Sequence, residues 1–213
     1  MLEEKERERN MGSEYKVVLL GEGAVGKTSI LLQYTKRKFE SDHIMTIQAS
    51  FRSKVLNIVD QTITLNLWDT AGQEKFHSLA LVYYRDANAA VLVYDVTDRD
   101  SFDRVQNWVQ ELVKNVDGKP ILAIAANKTD LPKSQHVISS EEGREYAEKV
   151  GAQFFETSAK DVETLNPMFL HIAKNLQQQH RGRNSTENGR STRTLKIEDD
   201  SAPEVSTGGG CGC

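Results

Sequence analysis

The chain switches repeatedly between two hydrophobic periods. Tyr15-Lys16-Val17-Val18-Leu19-Leu20 is a short, β-rich apolar run of the kind that forms a buried strand. Beyond the glycine-rich residues 21–26, Ile30, Leu31 and Tyr34 recur at helical spacing. Lys36 to Ile47 keeps neither period and predicts a surface segment. Ala49 to Val59 is mixed, whereas Thr62-Ile63-Thr64-Leu65-Asn66-Leu67-Trp68 alternates cleanly, with Ile63, Leu65 and Leu67 on one face. Asp60-Gln61 reads as the hairpin turn between them, which makes this pair antiparallel. Ala89 to Asp95, Pro120 to Ala126 and Gln153 to Thr157 predict three further strands. Phe102, Val105, Val109 and Leu112 mark a helix, with Trp108 as a core residue on it. Ser139-Ser140-Glu141-Glu142 opens another as a capping box. Asn166 as cap and Pro167 at the first helical position start a last helix, carrying Met168, Phe169, Ile172 and Leu176. Strands alternating with helices predict an α/β fold: an open six-stranded sheet, mostly parallel with one antiparallel strand, and helices on both faces. Such sheets bind ligands beyond the carboxyl ends of their strands.

Composition narrows the class. With 213 residues, 38% hydrophobic and 27% charged, the chain suits one domain with flexible ends. Residues 1–14 carry charge from Glu3 to Arg9 and almost nothing apolar, which predicts a disordered arm. Met11 is an alternative start. The domain is expected over residues 15–178, with 179–213 as a flexible tail: the apolar rhythm stops at Gln177, basic residues from Arg181 to Lys196 follow, and then an acidic patch from Glu198 to Glu204. A formal charge of -4 offers nothing to a nucleic-acid backbone. The longest apolar run, Ala89 to Tyr94, is too short to span a bilayer. The only cysteines are Cys211 and Cys213, so no disulfide framework is expected, and a cytosolic compartment is. The five histidines show no ligand spacing.

Chemistry concentrates in four motifs. Gly21-Glu22-Gly23-Ala24-Val25-Gly26-Lys27-Thr28 fits G-x-x-x-x-G-K-[ST], in which backbone N–H groups wrap phosphates, the lysine reaches the terminal ones and the hydroxyl ligates Mg²⁺. Strand before and helix after place it at a positive helix N-terminus rather than in an ordinary glycine turn. Asp69-Thr70-Ala71-Gly72-Gln73-Glu74 follows the alternating strand. A carboxylate there can hold Mg²⁺ through water, Gly72 lets a backbone N–H approach a γ-phosphate, and Gln73 can orient an attacking water. In Asn127-Lys128-Thr129-Asp130, the Asp130 carboxylate can accept both guanine N1–H and the N2 amine, which adenine lacks. Thr157-Ser158-Ala159-Lys160 ends the last strand with small residues whose N–H groups can reach guanine O6. Alone, the second and third of these motifs read better as polar surface loops and the fourth is weak; their position beside the phosphate loop decides for function.

In this order and each after a strand, the four motifs resemble the Ras-like small GTPases, from about Tyr15 to Leu176, and within them the Rab family. The Rab marks are Ile47-Gln48-Ala49-Ser50-Phe51, Trp68, Lys75-Phe76-His77-Ser78-Leu79 and Tyr83-Tyr84-Arg85, strings closest to the early-endosomal branch. The resemblance implies a phosphate-loop small G-domain that binds GTP and GDP through Gly21, Gly23, Ala24, Val25, Gly26, Lys27, Thr28 and Ser29. It adds Phe39, Thr46, Gly72, Asn127, Lys128, Asp130, Ser158, Ala159 and Lys160 to that set. Mg²⁺ falls to Thr28, Thr46 and Asp69, and catalysis to Gln73 and Lys27. Phe39, which from the residues alone reads as a helix-end core side chain, becomes the aromatic against the guanine. Phe51, Trp68 and Tyr83 become an apolar triad read by effectors, and Cys211 and Cys213 the sites of double geranylgeranylation. His43 and Met45 depart from the commoner first-switch residues.

The function so implied is a monomeric GTP-hydrolysing switch for vesicle traffic, endocytic and early endosomal. Its expected place is the cytoplasmic face of those membranes, cycling with the cytosol, and its expected partners are an exchange factor, a GAP, effectors, an escort protein and a GDP dissociation inhibitor. With no arginine at an obvious finger position, slow intrinsic turnover is expected. The same residues leave open a guanine-nucleotide-dependent binding module with negligible hydrolysis, while Asp130 opposes an ATP-dependent enzyme.

Overall fold

The structure, a computed structural model, describes residues 12–40, 46, 49–58, 61–70, 83–116 and 118–188, the last eight as backbone only. Its strands are β1 (Ser13–Leu20), β2 (Ser50–Ile58), β3 (Gln61–Asp69), β4 (Ala89–Asp95), β5 (Ile121–Asn127) and β6 (Gln153–Glu156). Between and after them run α1 (Lys27–Lys36), α2 (Arg99–Asn115), α3 (Ser140–Lys149) and α4 (Val162–Asn188). The sheet order is β2-β3-β1-β4-β5-β6. Only the β2–β3 pair is antiparallel, as the alternating pattern of β3 predicts; the other pairs are parallel.

The sheet separates two apolar layers, and β1 feeds both. Val17 and Leu19 pack with Ile30 and Leu31 of α1 and Phe169 and Ile172 of α4, while Val18 and Leu20 pack with Phe102, Val105 and Trp108 of α2. Alternate side chains leave a strand on opposite faces, so a central strand covered by helices on both sides must be apolar throughout. Each such buried side chain contributes roughly 1.5–3 kcal/mol. The strand order reverses at β1 and β4, so the connections from these two strands diverge and open a crevice at their carboxyl ends.

Three boundaries differ from the sequence reading. In the hairpin Ile58 stands opposite Gln61. The connection is therefore the two residues 59–60, outside the described set, and Gln61 belongs to the strand; the two-residue loop suits the twist of paired strands. The last helix begins at Val162 rather than at Pro167, which lies inside it. Asp161 caps that earlier start, its Oδ1 accepting from the Glu163 N–H at 3.0 Å. The proline costs the helix about 3 kcal/mol, offset by Leu165, Met168 and Phe169, all fully buried. Finally, the helix runs past the fading apolar rhythm, because Gln177 is itself buried and its Nε2 donates to Ile58 O at 3.2 Å and Gln61 Oε1 at 2.8 Å. The expected capping box forms in half: Ser139 Oγ accepts from the Glu142 N–H at 3.1 Å, while the Glu142 carboxylate turns to Arg99. Among the described residues, no helix is long and apolar enough to cross a membrane.

Candidate active site

The loops after β1, β3, β5 and β6 surround one cavity of about 460 Å³. Its floor is the glycine loop. Gly21 has φ 142°, and a Cβ there would stand 2.2 Å from Val93 O; Gly26 has φ 97°, and a Cβ would meet Asn127 Nδ2 at 2.5 Å. Both positions therefore exclude every other residue. Gly26 is also the cap of α1 and offers no side chain to its N–H groups, so the positive end of that helix remains for an anion. Lys27 is buried beneath the loop, its Nζ donating to Gly21 O at 2.8 Å and Glu22 O at 2.7 Å. Burial pushes its pKa down to about 8, against the pull of the Asp69 and Glu22 carboxylates, which favour the charged form.

Beside Lys27 three oxygens converge from three segments. Thr28 Oγ1 donates to Asp69 Oδ2 at 2.6 Å and lies 2.7 Å from Thr46 Oγ1. Two hydroxyls and a fully buried carboxylate are hard oxygen donors. They fit Mg²⁺, which takes few protein ligands and completes its shell with water and phosphate oxygens. Among the described residues no group of three or more His, Cys, Asp or Glu is arranged for a metal.

The other end of the cavity is built on β5. Asn127 is fully buried; its Nδ2 donates to Val25 O at 2.8 Å and its Oδ1 accepts from Thr157 Oγ1 at 3.4 Å. It thus staples the glycine loop to the two base-side motifs. Asp130 Oδ1 accepts from Ser158 Oγ at 2.7 Å, and Oδ2 pairs with Lys160 Nζ at 2.8 Å. Against the upward pull of burial, these two donors hold the Asp130 carboxyl below the ordinary carboxylate value. Lys160 Nζ also lies 5.8 Å from the centre of the Phe39 ring. Phe39 is exposed and lines the cavity, which overturns its reading as a core residue. The reason is local: α1 stops at Lys36, and Arg37 in the left-handed region (φ 54°) turns the chain away from the core.

Most of the predicted residues are brought together. Gly23, Ala24, Gly26, Lys27, Thr28 and Ser29 line the phosphate end, with Thr46, and Phe39, Asn127, Lys128, Asp130, Ala159 and Lys160 the rest. Gly21, Val25, Asp69 and Ser158 stand behind this lining and support it. Outside the cavity, Phe51, Trp68 and Tyr83 form one aromatic row, with ring centres 5.1 Å and 6.3 Å apart. Gly72, Gln73, His43, Met45, Cys211 and Cys213 lie outside the described residues. The sequence reading missed Thr70, Leu131 and Glu40, which also line the cavity. It missed Asp95 too, whose Oδ2 holds Lys128 Nζ at 2.6 Å. Thr70 lies inside a recognised motif, though given no role there, Leu131 adjoins another, and Asp95 is a strand-end carboxylate like Asp69; Glu40 carries no such signal.

A glycine loop between strand and helix, a hydroxyl–carboxylate cluster beside its lysine and a carboxylate at the far end of one crevice define a phosphate-loop nucleotide-binding domain. The Ras family model matches residues 16–178. Ras-related protein Rab-21 of Bos taurus is 48% identical over 203 residues, spanning 92% of this chain and 91% of its own length. The Homo sapiens Rab-21 is 47% identical with 92% and 90% covered, and that of Geodia cydonium 48% identical with 80% and 74% covered. The chain belongs to the Rab branch of the Ras-family small GTPases. It is a guanine-nucleotide-binding GTPase of membrane traffic, so the reading as a non-hydrolysing module gives way.

Proposed function

We propose that this GTPase is a two-state switch of endocytic, early-endosomal traffic whose GTP form recruits effectors through Phe51, Trp68 and Tyr83. The observation that carries the switch is the contact of Thr46 with Thr28 and, through it, Asp69. Thr46 comes from the first switch segment, Thr28 from the phosphate loop and Asp69 from the end of β3, so one cluster ties a surface segment to the phosphates. Mg²⁺ held by Thr28, Thr46 and Asp69 would neutralise charge on the terminal phosphate oxygens. Lys27 holds the same oxygens from the loop side, the first-turn N–H groups of α1 wrap them, and Gln73 orients the attacking water. Asp130 selects guanine, with Ser158 and Lys160 fixing its carboxylate, while the stems of Lys128 and Lys160 and the Phe39 ring flank the base. Loss of the γ-phosphate frees Thr46 and its segment, and the effector surface changes with it.

Slow intrinsic turnover and dependence on an activating protein belong to the same reading. Geranylgeranyl groups on Cys211 and Cys213 would provide the two chains that stable anchoring requires. The test of the switch is Thr46→Ala. Its affinity for a non-hydrolysable GTP analogue falls at least tenfold, while GDP affinity stays within about threefold, the asymmetry expected of a contact made only in one state. Equal losses for both nucleotides sink the switch role of Thr46. For the address, full-length chain and its Cys211→Ser/Cys213→Ser variant are imaged against an endosomal marker. Identical distributions of the two would remove lipidation from the account.

A further inference from the structure

The second residue of the phosphate loop is a carboxylate, which runs against the positive potential such a loop presents to phosphates. The Glu22 side chain is only 14% exposed, and its Oε2 accepts from a guanidinium nitrogen of Arg104 at 3.2 Å. Arg104 stands in the second turn of α2, far along the chain, whereas the Glu22 carbonyl holds Lys27 Nζ at 2.7 Å. Glu22 is thus held at both ends: by the phosphate-binding lysine through its backbone, and by α2 through its side chain. The Glu22 carboxylate also acts electrostatically on Lys27.

We infer that Arg104 is a positioning residue that sets the rate of nucleotide release, by neutralising and anchoring Glu22 beneath the phosphates. The inference rests on Gly21 to Thr28 being the phosphate loop. With Arg104 in place, the carboxylate is anchored to α2 and its charge is matched. Without it, a negative group remains at the phosphate site with no counter-charge, and the loop loses its tether to α2.

The experiment follows release of a fluorescent GDP from the full chain in the presence of Mg²⁺, at low and high salt. R104Q is expected to release GDP about threefold to tenfold faster, the size suited to one partly solvated charge near a phosphate. That difference shrinks as salt rises. R104K, which keeps the charge, stays near the wild-type rate. E22Q slows release, because Arg104 then adds uncompensated positive charge beside the loop. The E22Q/R104Q pair returns to within about twofold of wild type, the coupling expected of contacting residues. The inference is overturned by an R104Q rate equal to wild type, by E22Q accelerating release as R104Q does, or by a double variant as fast as R104Q. Should R104Q fail to fold, the sign of the E22Q effect alone decides. A folded wild-type chain that does not retain GDP overturns the phosphate-loop reading itself and this inference with it.

Discussion

Asp130→Asn changes one atom at the base end of the cavity. An ionised carboxylate offers about four acceptor sites on two oxygens; Ser158 Oγ at 2.7 Å and Lys160 Nζ at 2.8 Å take two of them. The two that remain match the adjacent N1–H and N2 amine of guanine. Replacing one oxygen by NH₂ sets a donor against a donor and removes the charge from both contacts. Hydrogen bonds to a charged group contribute about 1.5–3 kcal/mol each, so two lost contacts amount to about 3–6 kcal/mol, or roughly 10² to 10⁴ in Kd. Asp130 is only partly buried, which places the loss in the lower half of that range. Xanthine carries a carbonyl where guanine has the amine, so the new amide regains a partner and the variant turns toward xanthine nucleotides. Competition of GDP and XDP against one fluorescent nucleotide measures both affinities. The reasoning fails if a folded variant binds GDP within threefold of wild type, or gains nothing for XDP.

Two further outcomes follow from the same geometry, and a third from the role the family resemblance gives Gln73. Gly26→Ala places a methyl 2.5 Å from Asn127 Nδ2 on a backbone at φ 97°; a strained residue of this kind costs about 1–3 kcal/mol, and the variant should purify with little bound nucleotide on anion-exchange analysis of the denatured protein. Lys27 has its pKa lowered to about 8 by burial. Between that value and its ordinary 10.5 the unfolded chain therefore binds a proton that the nucleotide-free fold does not, and stability rises with pH across the window. Urea midpoints of nucleotide-free protein at either end of it should show the rise in wild type and lack it in Lys27→Met. Gln73→Leu should abolish GAP-stimulated hydrolysis in single-turnover assays while sparing GTP binding; stimulated turnover that survives removes Gln73 from the chemistry.

How much of this was legible in the sequence depended on range. β1 and β4, buried on both faces, are continuous apolar runs, and β3 betrays its half-exposed place by strict alternation. The motifs were legible because each is contiguous and falls at a strand end, where the fold collects ligand-binding groups. What failed was decided by partners distant in the chain. The Asn166-Pro167 pair is a strong local start signal, yet the helix begins five residues earlier because Leu165, Met168 and Phe169 reach the core only as one helical face. Phe39 looks like a core residue until the left-handed Arg37 turns it outward. Asp95 carries meaning only through Lys128 at 2.6 Å, and Glu22 only through Arg104 on another helix.

Those long-range pairs bear on how a nucleotide is held and let go. Four side chains assigned a role in binding also have protein partners: two carbonyls for Lys27, Asp69 for Thr28, Ser158 and Lys160 for Asp130, Asp95 for Lys128. A buried charge with no partner costs several kcal/mol, so these contacts stabilise the site in their own right. At these side chains nucleotide binding adds to or replaces existing contacts, while the uncapped N–H groups of α1 gain a partner, and affinity is the difference between the two arrangements. A difference can be tipped from either side. A Rab exchange factor shifts the balance only by as much as it prefers one arrangement over the other, and moving a population from 1:99 to 99:1 takes about 5.5 kcal/mol of such preference. An exchange factor that favoured the internally paired arrangement would therefore have the contacts of four side chains on which to act, and would accelerate release without touching the base or the phosphates.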